Sequence, residues 1–228
     1  INYICIMKVT KAKPTQVSKV QKTPIKYNIE FTEEQKRVKE GVYRKAITFI
    51  NGTWGTGKTN CAIQIGLDLI FKKDNNITKM YISRPLDFGS TGYIKGSIDE
   101  KMSYHVFPLK QSLYASYGKE KIDKMFIDGD IQVFPIDYMK GMTVANAVMI
   151  IDEYEDINMA DFKLITSRLG KGSKLIFTGD LAQTKLIKDS CIHTVKKSFN
   201  TEYVNAHTLT ANFREPEAAL LLDYLDKE

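Results

Sequence analysis

The run Gly52-Thr53-Trp54-Gly55-Thr56-Gly57-Lys58-Thr59 restricts the fold of this chain more than any other stretch. It fits GxxxxGK[ST], the Walker A pattern. In such a loop successive backbone N–H groups wrap a polyphosphate, the lysine reaches its β- and γ-phosphates, and the threonine hydroxyl ligates Mg2+. The pattern works only between a strand and a helix, and both are readable here. Ala46-Ile47-Thr48-Phe49-Ile50 is a short β-branched and apolar run, as a buried strand would be. Beyond Asn60, residues Ala62, Ile63, Ile65, Leu67, Leu69 and Ile70 continue without proline, as in a buried helix that turns its N-terminus to the phosphates. The expectation is an ATP or GTP site formed by Gly52 through Asn60.

Further strands are predicted at Lys79–Ser83, Ile131–Phe134, Ala147–Ile151 and Lys174–Thr178, each short, apolar and bounded by breakers. Helical patterns, including Met159–Leu169 and Glu217–Leu225, separate most of them. That alternation predicts an α/β fold with a mostly parallel sheet sandwiched by helices. Val148-Met149-Ile150-Ile151-Asp152-Glu153 has the Walker B form. Asp152 would hold Mg2+ through water beside Thr59, and Glu153 would polarise the attacking water. Leu175 to Asp180, followed by Gln183, is a third strand with a polar end, where Asp180 and Gln183 either sense the γ-phosphate or cap a turn. Thr32-Glu33-Glu34-Gln35 reads as a helix start, so Gln35 is either a capping-box residue or an amide that reads adenine. A further cation is expected at the γ-phosphate. Arg84, Arg168 and Arg214 are the candidates, Arg214 first, each against the alternative of a structural ion pair.

Charge separates the tail from the body. Of 33 basic residues, Lys8, Lys11, Lys13, Lys19, Lys22 and Lys26 lie in 1–29, where there is no acid, leaving 27 against 27 acids. Residues 1–29 therefore read as a flexible basic tail, either a solvated linker or a contact for nucleic acid, and 30–228 as the folded domain. Ile1 to Ile6 is too short for a signal h-region, and Met7 is a plausible natural start. No apolar run is long enough to span a membrane. Cys5, Cys61 and Cys191 are far apart, and with His105, His193 and His207 they show no zinc spacing. They fit reduced thiols in the cytoplasm. Aromatics in the insert 89–130, among them Tyr93, Tyr104, Phe107, Tyr114 and Tyr117, either stack bases or belong to the core.

With these motifs placed, the chain resembles the PhoH family, whose motor is similar to the first domain of superfamily 1 helicases. The resemblance rests on Gly55 to Thr59, Arg84-Pro85, Gly92 to Gly96 with Glu100-Lys101, Pro135 to Gly141 leading into Asp152-Glu153, and Ser167-Arg168-Leu169-Gly170 through Gly179-Asp180 to Gln183. It implies a stand-alone RecA-like P-loop NTPase, of a size often encoded by phages, that hydrolyses ATP with Mg2+. RNA or single-stranded DNA is the implied partner, and a homo-oligomer, such as a hexameric ring, the implied assembly. Three departures stand out: Thr53-Trp54 replaces Pro-Ala, Lys140 replaces Arg, and Tyr154-Glu155-Asp156 replaces Ala-Gln-Asn, which bears on coupling to a nucleic acid. Two other readings stay open: a nucleotide-gated assembly factor with little turnover, and a P-loop kinase.

Overall fold

The computed structural model describes residues 30–72, 74–85, 106–107, 109–111, 113–114, 116–183, 191–199 and 201–218. The basic tail, the Gly92–Lys101 signature, Tyr93 and Tyr104, and residues 219–225 of the helix expected near the C-terminus lie outside them.

Helix α1 spans Glu33–Arg44 and starts with a complete capping box. The Gln35 amide N–H donates to Thr32 Oγ1 (3.3 Å), and the Thr32 N–H donates to Gln35 Oε1 (3.1 Å). Strand β1 (Ile47–Gly52) leads into helix α2 (Lys58–Phe71), followed by β2 (Lys79–Ser83), α3 (Lys119–Ile127), β3 (Ile131–Val133), β4 (Ala147–Asp152), α4 (Met159–Thr166), β5 (Lys174–Gly179), α5 (Ile192–Lys196) and β6 (Val204–Leu209). Short 3-10 turns occupy Ile136–Met139 and Tyr154–Asp156.

The six strands form one sheet in the order β3-β2-β4-β5-β1-β6, and every pairing is parallel. Alternation along the strands sorts the core into two layers. Ile50, Met80, Ile82, Val148, Ile150 and Ile176 face α1, α2 and α3, whereas Phe49, Met149, Ile151, Leu175 and Phe177 face α4 and α5. Helix α2 is apolar on most of its surface because it lies wholly inside the first layer. Gly66 lets it approach β2 closely; a Cβ there would stand 2.7 Å from Met80 Sδ.

Parallel strands bring all their C-terminal ends to one edge. Asn51 pairs with Gly179, Thr178 with Asp152, and Ile151 with Ser83. From β1 the chain first builds β2, β3 and β4 on one side and later adds β6 on the other, so the loop after β1 opens at the point where strand order reverses.

The architecture agrees with the sequence expectation, and three local points differ. Strand β6 lacks an apolar run, since Asn205 and His207 interrupt it; it is held by pairing with β1 from Ile47↔Val204 to Gly52↔Leu209. Helix α4 stops at Thr166, short of the predicted Leu169, because Leu169 instead bridges to Val144. Within the insert, α3 forms around buried Ile122 and Met125. There Tyr114 and Tyr117 are used in the protein, donating to Asp123 (2.5 Å) and to Gln64 Oε1, while Phe107 is exposed.

Candidate functional site

The loop between β1 and α2 turns at Gly55 (φ 75°) and Gly57 (φ 74°), a backbone region that side chains rarely adopt. Thr56 Oγ1 donates to the Thr53 carbonyl (2.9 Å) and braces the bend. Gly57 is the N-cap of α2 and supplies no side-chain cap, so the first amides of a fully formed helix face outward. Lys58 Nζ arches back over the loop to the carbonyls of Gly52 (2.7 Å) and Thr53 (2.8 Å). Burial lowers its proton affinity, and Asp180, Glu155 and Asp152 pull the other way. Trp54 stands 45% exposed at the lip of the loop.

Across the sheet edge, Asp152 Oδ1 accepts from Thr59 Oγ1 (2.8 Å) and from Thr178 Oγ1 (2.5 Å). One carboxylate oxygen thereby joins the loop helix to β4 and β5. Glu153 follows in a left-handed conformation (φ 55°, ψ 47°), strained for a residue with a side chain. Its carboxylate meets Arg84 Nη2 at 2.6 Å. Burial raises the Glu153 carboxyl above its ordinary range, and the Arg84 charge counters this. The strained turn is anchored from below, where Tyr154 OH donates to Asn51 Oδ1 (2.7 Å).

At the end of β5, Asp180 accepts from the Ala182 N–H (3.0 Å) and from Gln183 Nε2 (2.5 Å). The pair thus forms the turn cap, beside Lys58. Arg168 is elsewhere: its Nη1 donates to the Met142 carbonyl (3.1 Å), next to Val144 and ahead of the start of β4, at the opposite edge of the sheet. Arg84 is the ion-pair partner of Glu153. Arg214 is placed over the loop, where a Cβ on Gly55 would lie 2.7 Å from its Cγ.

The segment carrying Arg214 is fastened by residues that sequence reasoning did not single out. The Phe213 N–H donates to the Gly55 carbonyl (3.0 Å), and the half-exposed Phe213 ring passes 3.6 Å from the Cβ position of Gly57. Gln35 Nε2 comes within 3.7 Å of the same point. Glu34 clamps the segment from α1, accepting from the Thr210 N–H (2.8 Å) and Thr210 Oγ1 (2.5 Å). Phe213 adjoins Arg214 in sequence, so an aromatic next to an expected site arginine was the available signal. Glu34 is separated from Thr210 by 176 positions, and nothing local marks it.

A cavity of about 380 Å3 opens from this loop, lined by Lys58, Thr59, Asn60 and Asp152 and continuing past Ile63 and Ile82 to Ser83 and Arg84.

The PhoH-like protein family matches residues 29–218 of this chain. The chain belongs to the PhoH family. A PhoH-like protein of Synechocystis sp. is 34% identical over 157 residues, covering 68% of this chain and 47% of that protein. One from Bacillus subtilis is 33% identical over 159 residues, covering 69% of this chain and 49% of that protein. The chain thus spans about half the length of these PhoH-like relatives. Among solved structures, the large terminase of a thermophilic bacteriophage superposes with a TM-score of 0.52 at 15% identity, over 80% of this chain and 46% of that one. The likeness agrees with a RecA-like P-loop fold.

One of the departures from the PhoH pattern is buried beside the site. Glu155 stands where the resemblance implies glutamine, and it is buried (6% exposed) with its carboxylate filling the space a side chain at Gly179 would need. Burial pushes its carboxyl from the ordinary 4.5 up to about 7. The folded chain therefore holds a proton that the unfolded chain releases between those values, so stability falls as pH rises through that window. Glu155→Gln, neutral at every pH, should be more stable than wild type at pH 8 by on the order of 1–3 kcal/mol, with the gap closing towards pH 5. Urea denaturation at the two pH values measures it; a gap independent of pH would refute the assignment.

Proposed function

We propose that this chain binds ATP with Mg2+ and hydrolyses it, and that the turnover is coupled to RNA or single-stranded DNA. The supporting observation is that the loop Gly52–Thr59, the Thr59–Asp152 pair and Glu153 meet at one sheet edge. In this reading Lys58 and the loop amides, with Thr53, Trp54 and Asn60 at the rim, hold the phosphates. The donors around Asp152 suit a hard divalent cation, because a hydroxyl and a carboxylate oxygen lie 2.8 Å apart with no soft ligand between them. Mg2+ at Thr59 and Asp152 would neutralise charge on the β- and γ-phosphates. Glu153 takes the proton of a water whose oxygen attacks the γ-phosphorus; the bond to the bridging oxygen breaks, leaving ADP and inorganic phosphate. Gln35 Nε2 and the Phe213 ring flank the base, and Asp180, Gln183 and Arg214 respond to the γ-phosphate.

The test is phosphate release from Mg·ATP, with and without single-stranded RNA or DNA. Turnover that rises with the strand, and a strand affinity that weakens with salt and with removal of residues 1–29, supports the coupled reading. Turnover indifferent to any strand sinks the coupling, and none under any condition sinks hydrolysis. The 2.6 Å hold of Arg84 on Glu153 favours one second reading, a nucleotide-gated homo-oligomer, a ring included, with little turnover. ATP-dependent assembly without phosphate release would mark it.

A further inference from the structure

Strand β6 ends at Leu209, paired with Gly52, and residues 210–214 then cross the loop between β1 and α2 as a strap. All five strap residues are exposed, so apolar burial does little to hold them down. Hydrogen bonds take that role. Glu34 Oε2 accepts from the Thr210 N–H (2.8 Å) and the Ala211 N–H (3.5 Å), and Oε1 accepts from Thr210 Oγ1 (2.5 Å). The Phe213 N–H donates to the Gly55 carbonyl (3.0 Å), while the Arg214 N–H stays within the strap and donates to Asn212 Oδ1 (2.9 Å). Of the three strap amides that bond outside it, two end on one carboxylate.

The cargo of the strap explains the need for that grip. Arg214 Cγ and Cδ lie 2.7 and 3.0 Å from the Cβ position of Gly55. Burial chiefly lowers the proton affinity of Lys58, and the Arg214 charge adds to it, so the two cations are within electrostatic reach on one loop. Like charges push apart, and a strap tied by Phe213 alone would let Arg214 lift away. Glu34 opposes this with charge-assisted bonds, from a helix whose own start is fixed by the capping box.

We propose that Glu34 is a positioning residue for the nucleotide site: it holds the strap so that Arg214 stands over the loop and distinguishes ATP from ADP. The assignment rests on the nucleotide reading above, in which Arg214 responds to the γ-phosphate. Glu34 acts through Arg214 and not on the nucleotide itself.

The experiment measures ATP and ADP affinity and steady-state phosphate release for the full chain with Mg2+. Wild type is compared with Glu34→Ala, Arg214→Ala, the double variant and Glu33→Ala as control. Glu33 shares the first turn of α1 but pairs with Lys36, so its loss removes the same helix-dipole contact and leaves the strap alone. Glu34→Ala should lower the preference for ATP over ADP roughly 3- to 10-fold and slow kcat, with a melting temperature matching that of Glu33→Ala. Glu33→Ala should keep the wild-type preference. In the Arg214→Ala background, Glu34→Ala should change the preference less than about 2-fold. An unchanged preference in Glu34→Ala overturns the proposal. So does an equal loss in Glu33→Ala, or losses that multiply in the double variant, which would make the two residues independent. A wild type that prefers ATP, with Glu34→Ala retaining that preference, removes the clamp alone; a wild type that binds neither nucleotide refutes the nucleotide reading and the clamp with it.

Discussion

Glu153→Gln should lower steady-state ATP turnover by roughly 10²- to 10⁴-fold while leaving nucleotide affinity within a few-fold of wild type, because the substitution removes a proton acceptor and keeps the shape. Two features make this separation sharp. Glu153 lies after β4, outside the loop Gly52–Thr59, so the contacts proposed to bind ATP remain in place. Its backbone is held at positive φ by Tyr154, whose hydroxyl is fixed on Asn51, so glutamine inherits the same direction. The variant also removes the negative charge that Arg84 faces at 2.6 Å, leaving a partly buried guanidinium with a weaker partner. A modest loss of thermal stability should therefore accompany the kinetic loss. Phosphate release under saturating Mg·ATP, with nucleotide affinity measured in parallel, decides the matter. Turnover reduced less than about 10-fold would remove Glu153 from the chemistry and shift the proton-accepting role elsewhere.

What the amino-acid order reveals, and what it hides, follows from how local each interaction is. The loop is legible because Gly55 and Gly57 occupy positive φ, and the requirement is printed in the sequence as glycine at fixed spacing. Strands β1, β4 and β5 are legible because both faces are buried, which makes each a nearly continuous apolar run. Strand β6 is hidden because it has a neighbour on one side only and tolerates Asn205 and His207. At the site, the sequence brings Thr59, Asp152 and Glu153 into view as motif members, but it does not show that Arg84 is paired with Glu153, 69 positions away. Arg84, Arg168 and Arg214 look equivalent in one dimension; the fold separates them into an ion-pair partner, a brace at the opposite edge and a side chain over the loop. Gln35 takes the capping-box reading through Oε1, while its Nε2 lies 3.7 Å from the Cβ position of Gly57.

Phe177→Ala should cost about 3–5 kcal/mol, the range for truncating a large buried aromatic. The ring is fully buried and central to a stack, with Phe49 at 4.7 Å and nearly parallel (8°), Phe162 at 5.3 Å, and Tyr154 edge-on at 5.9 Å. These neighbours come from β1, α4 and the turn after β4, so no single element can collapse into the space left behind. For a domain of this size the loss corresponds to a fall in melting temperature of about 6–20 °C. The consequence extends to the site, because Phe177 immediately precedes Thr178, whose hydroxyl holds Asp152, and Tyr154 uses its other end to anchor Asn51 at the start of the loop. Loosening the stack releases both tethers together, so nucleotide affinity should weaken in the same variant. Saturating nucleotide at 100 times its dissociation constant should return about 2.7 kcal/mol, recovering most of the loss. Thermal unfolding with and without Mg·ATP tests the link. If Phe177→Ala melts early yet binds nucleotide as tightly as wild type, the aromatic layer supports the sheet alone, and the geometry of Asp152 and the loop is set independently of it.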